Sequence, residues 1–343
     1  MLNESKKLNV AVAGAVSLVG EAILDLLAER KFPCQQVYAL GTGEAVGKDV
    51  NFGRKSLEVN ELADFDFTQV EIVFWADERE LAVEFAPRVS QSACVMIDLS
   101  GAFAEKDDVP LIVADVNEAA LSADKMCNMI ACPSSATVQL LTALMPLHKV
   151  ATIARIDVAT YQAVSSAGKA GVQELASQTA NLLNARSIDP GVVYPKQLAF
   201  NVLPQVSEFL DNRYTQQEMQ LSQESRRVLD NTTLSVNVTA VTVPVFFGSS
   251  MAVHLETEQV LPISKACQLL EENQPVKFYS EGADYPVAVD NALNETRVLV
   301  GRLRADLSHP KRLNLWIVAD NIRVGSALNS VKIAELLRRK ALV

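Results

Sequence analysis

The stretch that decides the fold is Leu8-Asn-Val-Ala-Val-Ala-Gly14-Ala-Val-Ser17-Leu-Val-Gly20. Leu8 to Ala13 is uncharged and apolar, which reads as a fully buried strand. Leu18 to Arg30 follows with apolar Val19, Ile23, Leu26 and Leu27 at helical spacing, and it stops before Pro33. A strand, a glycine turn and a helix are the setting of a dinucleotide fingerprint. There, glycines let the backbone approach a pyrophosphate at the helix N-terminus. The spacing here is Gly-x5-Gly, with Ser17 in place of a middle glycine. Such a turn serves packing as readily as phosphate binding, so Gly14, Val16, Ser17, Leu18 and Val19 are candidate cofactor-binding residues only.

Working outward, Gln36–Leu40 reads as a second strand, Glu71–Trp75 as a third, Leu81–Ser90 as a helix and Cys94–Asp98 as a fourth strand. Alternating strands and helices predict an α/β, Rossmann-like doubly wound parallel sheet over roughly the first 130 residues. Beyond it, Ser135–His148 reads as a helix opened by Pro133 and small hydroxyl residues that can cap it. Ile153–Tyr161 alternates like a strand. Gly168–Asn184 and Thr215–Leu229 are helical. Leu234–Val245, Met251–Glu256, Arg297–Arg304 and Leu313–Val318 are strand-like, and Val324–Lys340 is an amphipathic helix. This predicts an α+β second domain with a mostly antiparallel sheet.

The chain has 343 residues, enough for two domains, with 49% apolar and 21% charged residues. A chain of this size buries roughly three quarters of its unfolded surface and needs no disulfide or metal staple. A net charge of −10 argues against nucleic acid and against an anionic membrane surface. The uncharged run from Leu8 to Gly20 is interrupted by glycines and so reads as a strand and turn, not a signal peptide. Asn231–Leu255 is rich in Thr, Ser and Asn and reads as strands, not a membrane helix. A cytoplasmic protein is expected. Five cysteines (Cys34, Cys94, Cys127, Cys132, Cys267) form no C-x-x-C pair, and His148, His254 and His309 are scattered. Buried reduced thiols and no zinc site are expected.

Several motifs together resemble the aspartate-semialdehyde dehydrogenase family. They are Thr160-Tyr-Gln-Ala-Val-Ser-Ser-Ala-Gly-Lys169, Val243-Pro-Val245, Leu313-Asn-Leu-Trp-Ile-Val-Ala-Asp-Asn321 and Gly325-Ser-Ala-Leu-Asn329. Pro133 followed by Thr137-Val-Gln139, and Phe200-Asn-Val-Leu-Pro204, also match. The resemblance runs nearly end to end. It implies a dinucleotide-binding domain at 1–133 with 324–343, a substrate and dimerisation domain at 134–323, and a reaction through a cysteine thioester.

Set against that pattern, the reacting positions differ. Where the family's Asn-Pro-Asn-Cys nucleophile belongs, the chain reads Cys132-Pro-Ser-Ser135. Where the base of Gly-His-Ser-Glu belongs, it reads Gly248-Ser249-Ser-Met251. A serine hydroxyl is a weak nucleophile without an adjacent base. Cys132, ahead of the helix, reads as structural. The carboxylate-binding arginine becomes Thr242, the Glu-Glu-x-Lys motif becomes Gln217-Glu-Met-Gln220, and a phosphate-binding arginine becomes Ala104. Of the reacting centre only Gln162 stays in place. The family's 2′-phosphate grip becomes Thr42-Gly-Glu44, whose carboxylate suits a ribose diol, so NAD is preferred to NADP if any cofactor binds. Trp75-Ala-Asp-Glu78 adds bulk and charge near the nucleotide. Ser165 and Asn321 are further candidate nucleotide contacts.

These replacements lead to the expectation of a catalytically inactive paralogue, which resembles the divergent branch named Usg proteins, with vestigial positions Ser135, Gln162 and Ser249. A retained homodimer is expected with it, and hetero-association with an active paralogue is a further reading. The alternative is an active NAD(P)-dependent oxidoreductase acting on an aldehyde or acyl phosphate with altered substrate and cofactor preference.

Overall fold

The computed structural model describes residues 7–122, 128–188 and 191–343; Cys127 lies outside them. The chain divides into two compact units, Met1–Ser134 with Ser326–Val343, and Ser135–Gly325.

The first unit carries β1 (Leu8–Ala13), α1 (Leu18–Glu29), β2 (Cys34–Gly41), β3 (Asp49–Phe52), β4 (Lys55–Glu61), β5 (Ile72–Trp75), α2 (Arg79–Gln91), β6 (Val95–Asp98) and β7 (Met129–Ala131). Its sheet runs β3-β4-β2-β1-β5-β6-β7. Every pairing is parallel except β3 with β4. The central strands β1 and β5 are, apart from Asn9, apolar on both faces because helices cover both sides of a doubly wound sheet. The sequence reading passes over three strands here, β3, β4 and the three-residue β7; β3 and β4 form an edge hairpin on this parallel sheet.

The second unit carries α3 (Ser135–Ala151), β8 (Ile153–Gln162), α4 (Gly168–Leu183), α5 (Gln216–Val228), β9 (Ser235–Thr242), β10 (Ser249–Thr257), α6 (Ile263–Glu271), β11 (Val276–Phe278), β12 (Val298–Ala305) and β13 (Arg312–Ala319). Its sheet runs β11-β12-β13-β10-β8-β9. The outer pairings β11–β12 and β8–β9 are parallel and the inner three antiparallel, so the sheet is mixed. Leu140, Leu144 and Leu147 of α3 pack on Ile156, Val158, Met251, Val253 and Ile317, building the core of this unit. The last helix, α7 (Leu328–Arg339), belongs to the first unit. There Asn329 receives Ala114 N–H and donates to Ile112 O, both at 2.9 Å. Among the described residues no helix is long and apolar enough to cross a membrane.

Candidate active site

The glycine turn of the first unit is built by close contacts. Gly14 has φ +72°, and a Cβ there would lie 2.4 Å from Ala76 O, at the end of β5. A Cβ on Gly20 would lie 2.2 Å from Gly14 O. Both glycines are therefore demanded by packing alone. Ser17 stands in for the middle glycine as the N-cap of α1: its Oγ accepts Gly20 N–H at 2.9 Å and donates to Ala76 O at 3.0 Å. Among the described residues, no hydrogen bond uses the N–H groups of Val16, Leu18 and Val19. Three free donors at the start of a twelve-residue helix fit a dinucleotide pyrophosphate.

Around that turn, Glu44 is exposed in a short helical turn after β2, with Thr42 before it. Trp75 differs from expectation. It is fully buried at the end of β5 with its ring 5.8 Å from that of Phe85, so its bulk fills the core and adds none beside the turn. Ala104 is buried in the loop after β6. That loop is tied down by Asp98, whose Oδ1 accepts Ser100 N–H at 2.9 Å and Ser100 O–H at 2.6 Å. Burial pushes the Asp98 carboxyl above its ordinary range.

In the second unit, sheet register brings the expected positions to one end. Gln162 pairs with Thr242, Ser249 with Ala319, and Ser250 with Tyr161. Ser135 opens α3, and its hydroxyl donates to Asn321 O at 2.8 Å and accepts from Gln139 Nε2 at 2.9 Å. This hydroxyl thus bonds across the unit instead of capping its own helix. Gly325 leaves room for it, since a Cβ there would lie 2.0 Å from Ser135 Oγ. Asn321 Oδ1 accepts Gly248 N–H at 2.9 Å, while the Ser165 hydroxyl lies 3.2 Å from Oδ1 and 3.0 Å from Nδ2. Ser165 and Asn321, expected at a nucleotide, are buried and bonded to each other.

Helix α5 contributes unequally. Gln220 donates to Glu224 on its own helix at 2.8 Å, and Glu224 also accepts Thr137 O–H at 2.5 Å. Gln217 instead lines a cavity of about 410 Å³ together with Gln162, Gln205, Ser207, Glu208 and Thr242. Sequence reasoning missed most of this wall. The segment that carries Val193 and Tyr194 is held by Glu174 of α4, whose carboxylate accepts Val193 N–H at 2.7 Å and Val192 N–H at 3.0 Å. Gln178 Oε1 accepts Leu198 and Ala199 N–H at 2.8 and 3.1 Å. Nothing in an irregular segment's composition announces such a partner one helix away.

The three histidines stand away from the Gln162 end. His148 lies near the far end of α3, where its Nδ1 accepts Ile153 N–H at 3.1 Å. Burial lowers its pKa, so it acts as a neutral acceptor and not as a cation at the helix end. His254 is five positions along β10 from Ser249 and bonds Asn314. His309 precedes β13, opposite the Ala319 end. Burial pushes the Cys34 thiol up to about 11 and the Cys94 thiol to about 12. Cys132 is buried. Among the described residues, no group of three or more His, Cys, Asp or Glu could hold a metal ion.

Two family models match: a semialdehyde dehydrogenase NAD-binding domain over residues 9–123 and a semialdehyde dehydrogenase dimerisation domain over residues 144–324. The aspartate-semialdehyde dehydrogenase of Legionella pneumophila is 42% identical over 99% of this chain and 98% of its own length. That of Shewanella sp. (strain DB6705) is 42% identical over 98% and 99%. The crystal structure of aspartate semialdehyde dehydrogenase II of Vibrio cholerae, complexed with ASA, superposes with a TM-score of 0.95 at 41% identity, covering 98% of this chain and 99% of that one. The chain belongs to the aspartate-semialdehyde dehydrogenase family. These near full-length matches to proteins named as dehydrogenases overturn the expectation of a catalytically inactive, Usg-type paralogue; nothing in them marks such a branch. That expectation rests on a handful of side-chain replacements, whereas the matches run along the whole scaffold.

Proposed function

We propose that this chain is an NAD(P)-dependent oxidoreductase of the aspartate-semialdehyde dehydrogenase type, exchanging a hydride with a small aldehyde. The observation that carries this reading is the 42% identity over 99% of the chain to an enzyme so named. The N–H groups of Val16, Leu18 and Val19 hold the pyrophosphate, with Gly14 allowing the close approach. When bound, the nicotinamide supplies or accepts the hydride. The carboxylate of Glu44 beside Thr42 favours a ribose diol over a 2′-phosphate, so NAD is preferred to NADP.

Gln162 and Ser249 orient the aldehyde. The Gln162 amide, besides its 3.3 Å bond to Thr160, lines the cavity. Ser249 Oγ has no hydrogen-bond partner among the described residues and lies one position past the Ser250–Tyr161 pair, at the same sheet end as Gln162. A hydroxyl and an amide would position the hydrated aldehyde without a thioester: water adds to the carbonyl, the C–H of the hydrate would leave as hydride, one hydroxyl proton passes to water, and the carboxylic acid is released. Ser135, engaged at both ends, holds α3 against Asn321 and is a positioning residue. The matched dimerisation domain supports a homodimer.

The test is a spectrophotometric assay at 340 nm with aspartate β-semialdehyde, phosphate and either NAD⁺ or NADP⁺, followed by a panel of small aldehydes. Turnover faster with NAD⁺, and reduced by Leu18→Pro, is expected. No turnover with any aldehyde and either cofactor would refute the reading.

A further inference from the structure

The cavity in the second unit carries a charge signature that selects among substrates. Of the described residues that line it, Gln162, Ser166, Gln205, Ser207, Gln217 and Thr242 are polar and neutral, and Glu208 carries a charge that no other described lining residue does. Among the described residues, no lysine, arginine or histidine lines it. A cavity beside a helix start could still take an anion through free N–H groups. Here the first turn of α5 leaves none. Gln216 N–H goes to Glu208 O at 2.9 Å, Gln217 N–H to Ser207 Oγ at 3.0 Å and Glu218 N–H to Thr215 Oγ1 at 3.3 Å. The Glu218 carboxylate then closes the capping box on Thr215 N–H at 2.7 Å and reaches Ala240 N–H at 2.9 Å. The positive end of the helix is thus offset by a carboxylate inside the protein.

The neutral groups are partly engaged as well. Thr242 Oγ1 donates to Gln205 O at 2.8 Å, and Gln205 Nε2 donates to Ser207 O at 3.1 Å. The amide groups of Gln162 and Gln217 remain to meet a ligand, with the exposed carboxylate of Glu208 at the rim. A carboxylate or phosphate entering this space would lose its hydration and gain no cation and no backbone donor from α5.

We infer that the cavity takes a small aldehyde whose far end is uncharged or bears an ammonium group, and that it rejects phosphate and carboxylate ends. The word aldehyde rests on the oxidoreductase reading above; the charge preference does not. Gln162 and Gln217 bind, and Glu208 attracts the ammonium.

The experiment is a chemical-shift titration of the intact ¹⁵N-labelled chain, without cofactor, reading the side-chain amides of Gln162 and Gln217. The probes are 3-aminopropan-1-ol, L-homoserine (the same chain with a carboxylate added) and inorganic phosphate. Saturable shifts are expected with 3-aminopropan-1-ol, with binding about tenfold weaker for L-homoserine because its carboxylate finds no partner, and no shifts with phosphate. Glu208→Gln, a change at an exposed position, should weaken 3-aminopropan-1-ol about fivefold. The inference is overturned if L-homoserine or phosphate binds as tightly as 3-aminopropan-1-ol, if no probe gives saturable shifts, or if Glu208→Gln changes nothing. Binding of 3-aminopropan-1-ol without turnover of any aldehyde would defeat the oxidoreductase reading and leave the charge preference standing.

Discussion

The carbonyl oxygen of Asn321 accepts the hydroxyl of Ser135 at 2.8 Å, while the side chain of the same Asn321 accepts the N–H of Gly248 at 2.9 Å. One buried residue after β13 therefore fixes both the start of α3 and the turn that leads into Ser249. Asn321→Ala keeps the carbonyl but removes the side-chain bonds to Gly248 and Ser165. Leaving those buried groups unpaired costs about 2–4 kcal/mol. Denaturant unfolding followed by fluorescence should show that loss. Turnover should fall with it, because Ser249 loses its fixed approach.

The glycines of the first turn are poor probes of cofactor binding. Any side chain at Gly14 strikes Ala76 O, so a Gly14→Val variant that fails to bind reports a broken turn. Leu18 is the better probe. It is the first residue of α1, where proline is tolerated, and Ser17 before it has φ −74° and ψ 160°, suited to precede proline. Leu18→Pro removes one free N–H donor. It should leave the thermal midpoint nearly unchanged and weaken NADH about tenfold, a charge-assisted bond being worth roughly 1.5–3 kcal/mol. Calorimetric titration with NADH checks it; unchanged affinity would remove the turn from the cofactor site.

Much of this arrangement is legible in the sequence, and the gaps have physical causes. β1, β5 and β6 are almost wholly buried and, apart from Asn9 and Asp98, apolar, so composition alone reveals them. β3 and β4 are mostly exposed and polar, with single buried residues at Val50 and Val59, so neither period nor hydropathy betrays them. The turn of the hairpin at Gly53, with φ +60°, is their one local sign. Trp75 misleads for a different reason: sequence places it at the end of a strand but does not say which way its ring turns. The motif positions Gln162, Thr242 and Ser249 gather as the strand order requires. The cavity wall from Tyr194 to Glu208 has no periodicity, and it is held by Glu174 and Gln178, residues that read as an ordinary helix face.

His148 gives the molecule a pH dependence with a definite sign. Burial lowers its folded-state pKa, and its neutral Nδ1 accepts Ile153 N–H. The unfolded state, with an ordinary pKa near 6.5, binds the proton more readily than the folded one. Stability from this group is therefore fully present above that value and declines as pH falls toward the lower folded pKa. The unfolding midpoint should fall more steeply between pH 7.5 and 5.5 in the native chain than in His148→Asn, which keeps an acceptor but cannot titrate. Parallel slopes for the two chains would exclude His148 as the source.

The replaced reacting positions make the sharpest case. Thioester chemistry needs a thiolate and a base; at Ser135 and Ser249 the chain offers two hydroxyls. α3 is a seventeen-residue helix opening at Ser135, so a thiol placed there meets the positive end of a helix and is acidified. An imidazole at 249 would stand one position past the Ser250–Tyr161 pair, at the same sheet end as Gln162. Ser135→Cys alone should give little, because Ser135 Oγ is bonded to Asn321 and Gln139 and no base is present. Ser135→Cys with Ser249→His should add a phosphate-dependent oxidation of aldehydes that is absent or slow in the parent, by about 10²–10⁴-fold, the range a positioned base supplies. The two changes act on one mechanism, so the double variant should exceed the product of the singles. Initial rates with and without phosphate check this. If the parent already shows a phosphate-dependent rate equal to that of the double variant, a group other than Ser135 and Ser249 carries the acyl transfer, and the assignment of Gln162 and Ser249 to a direct hydride exchange fails.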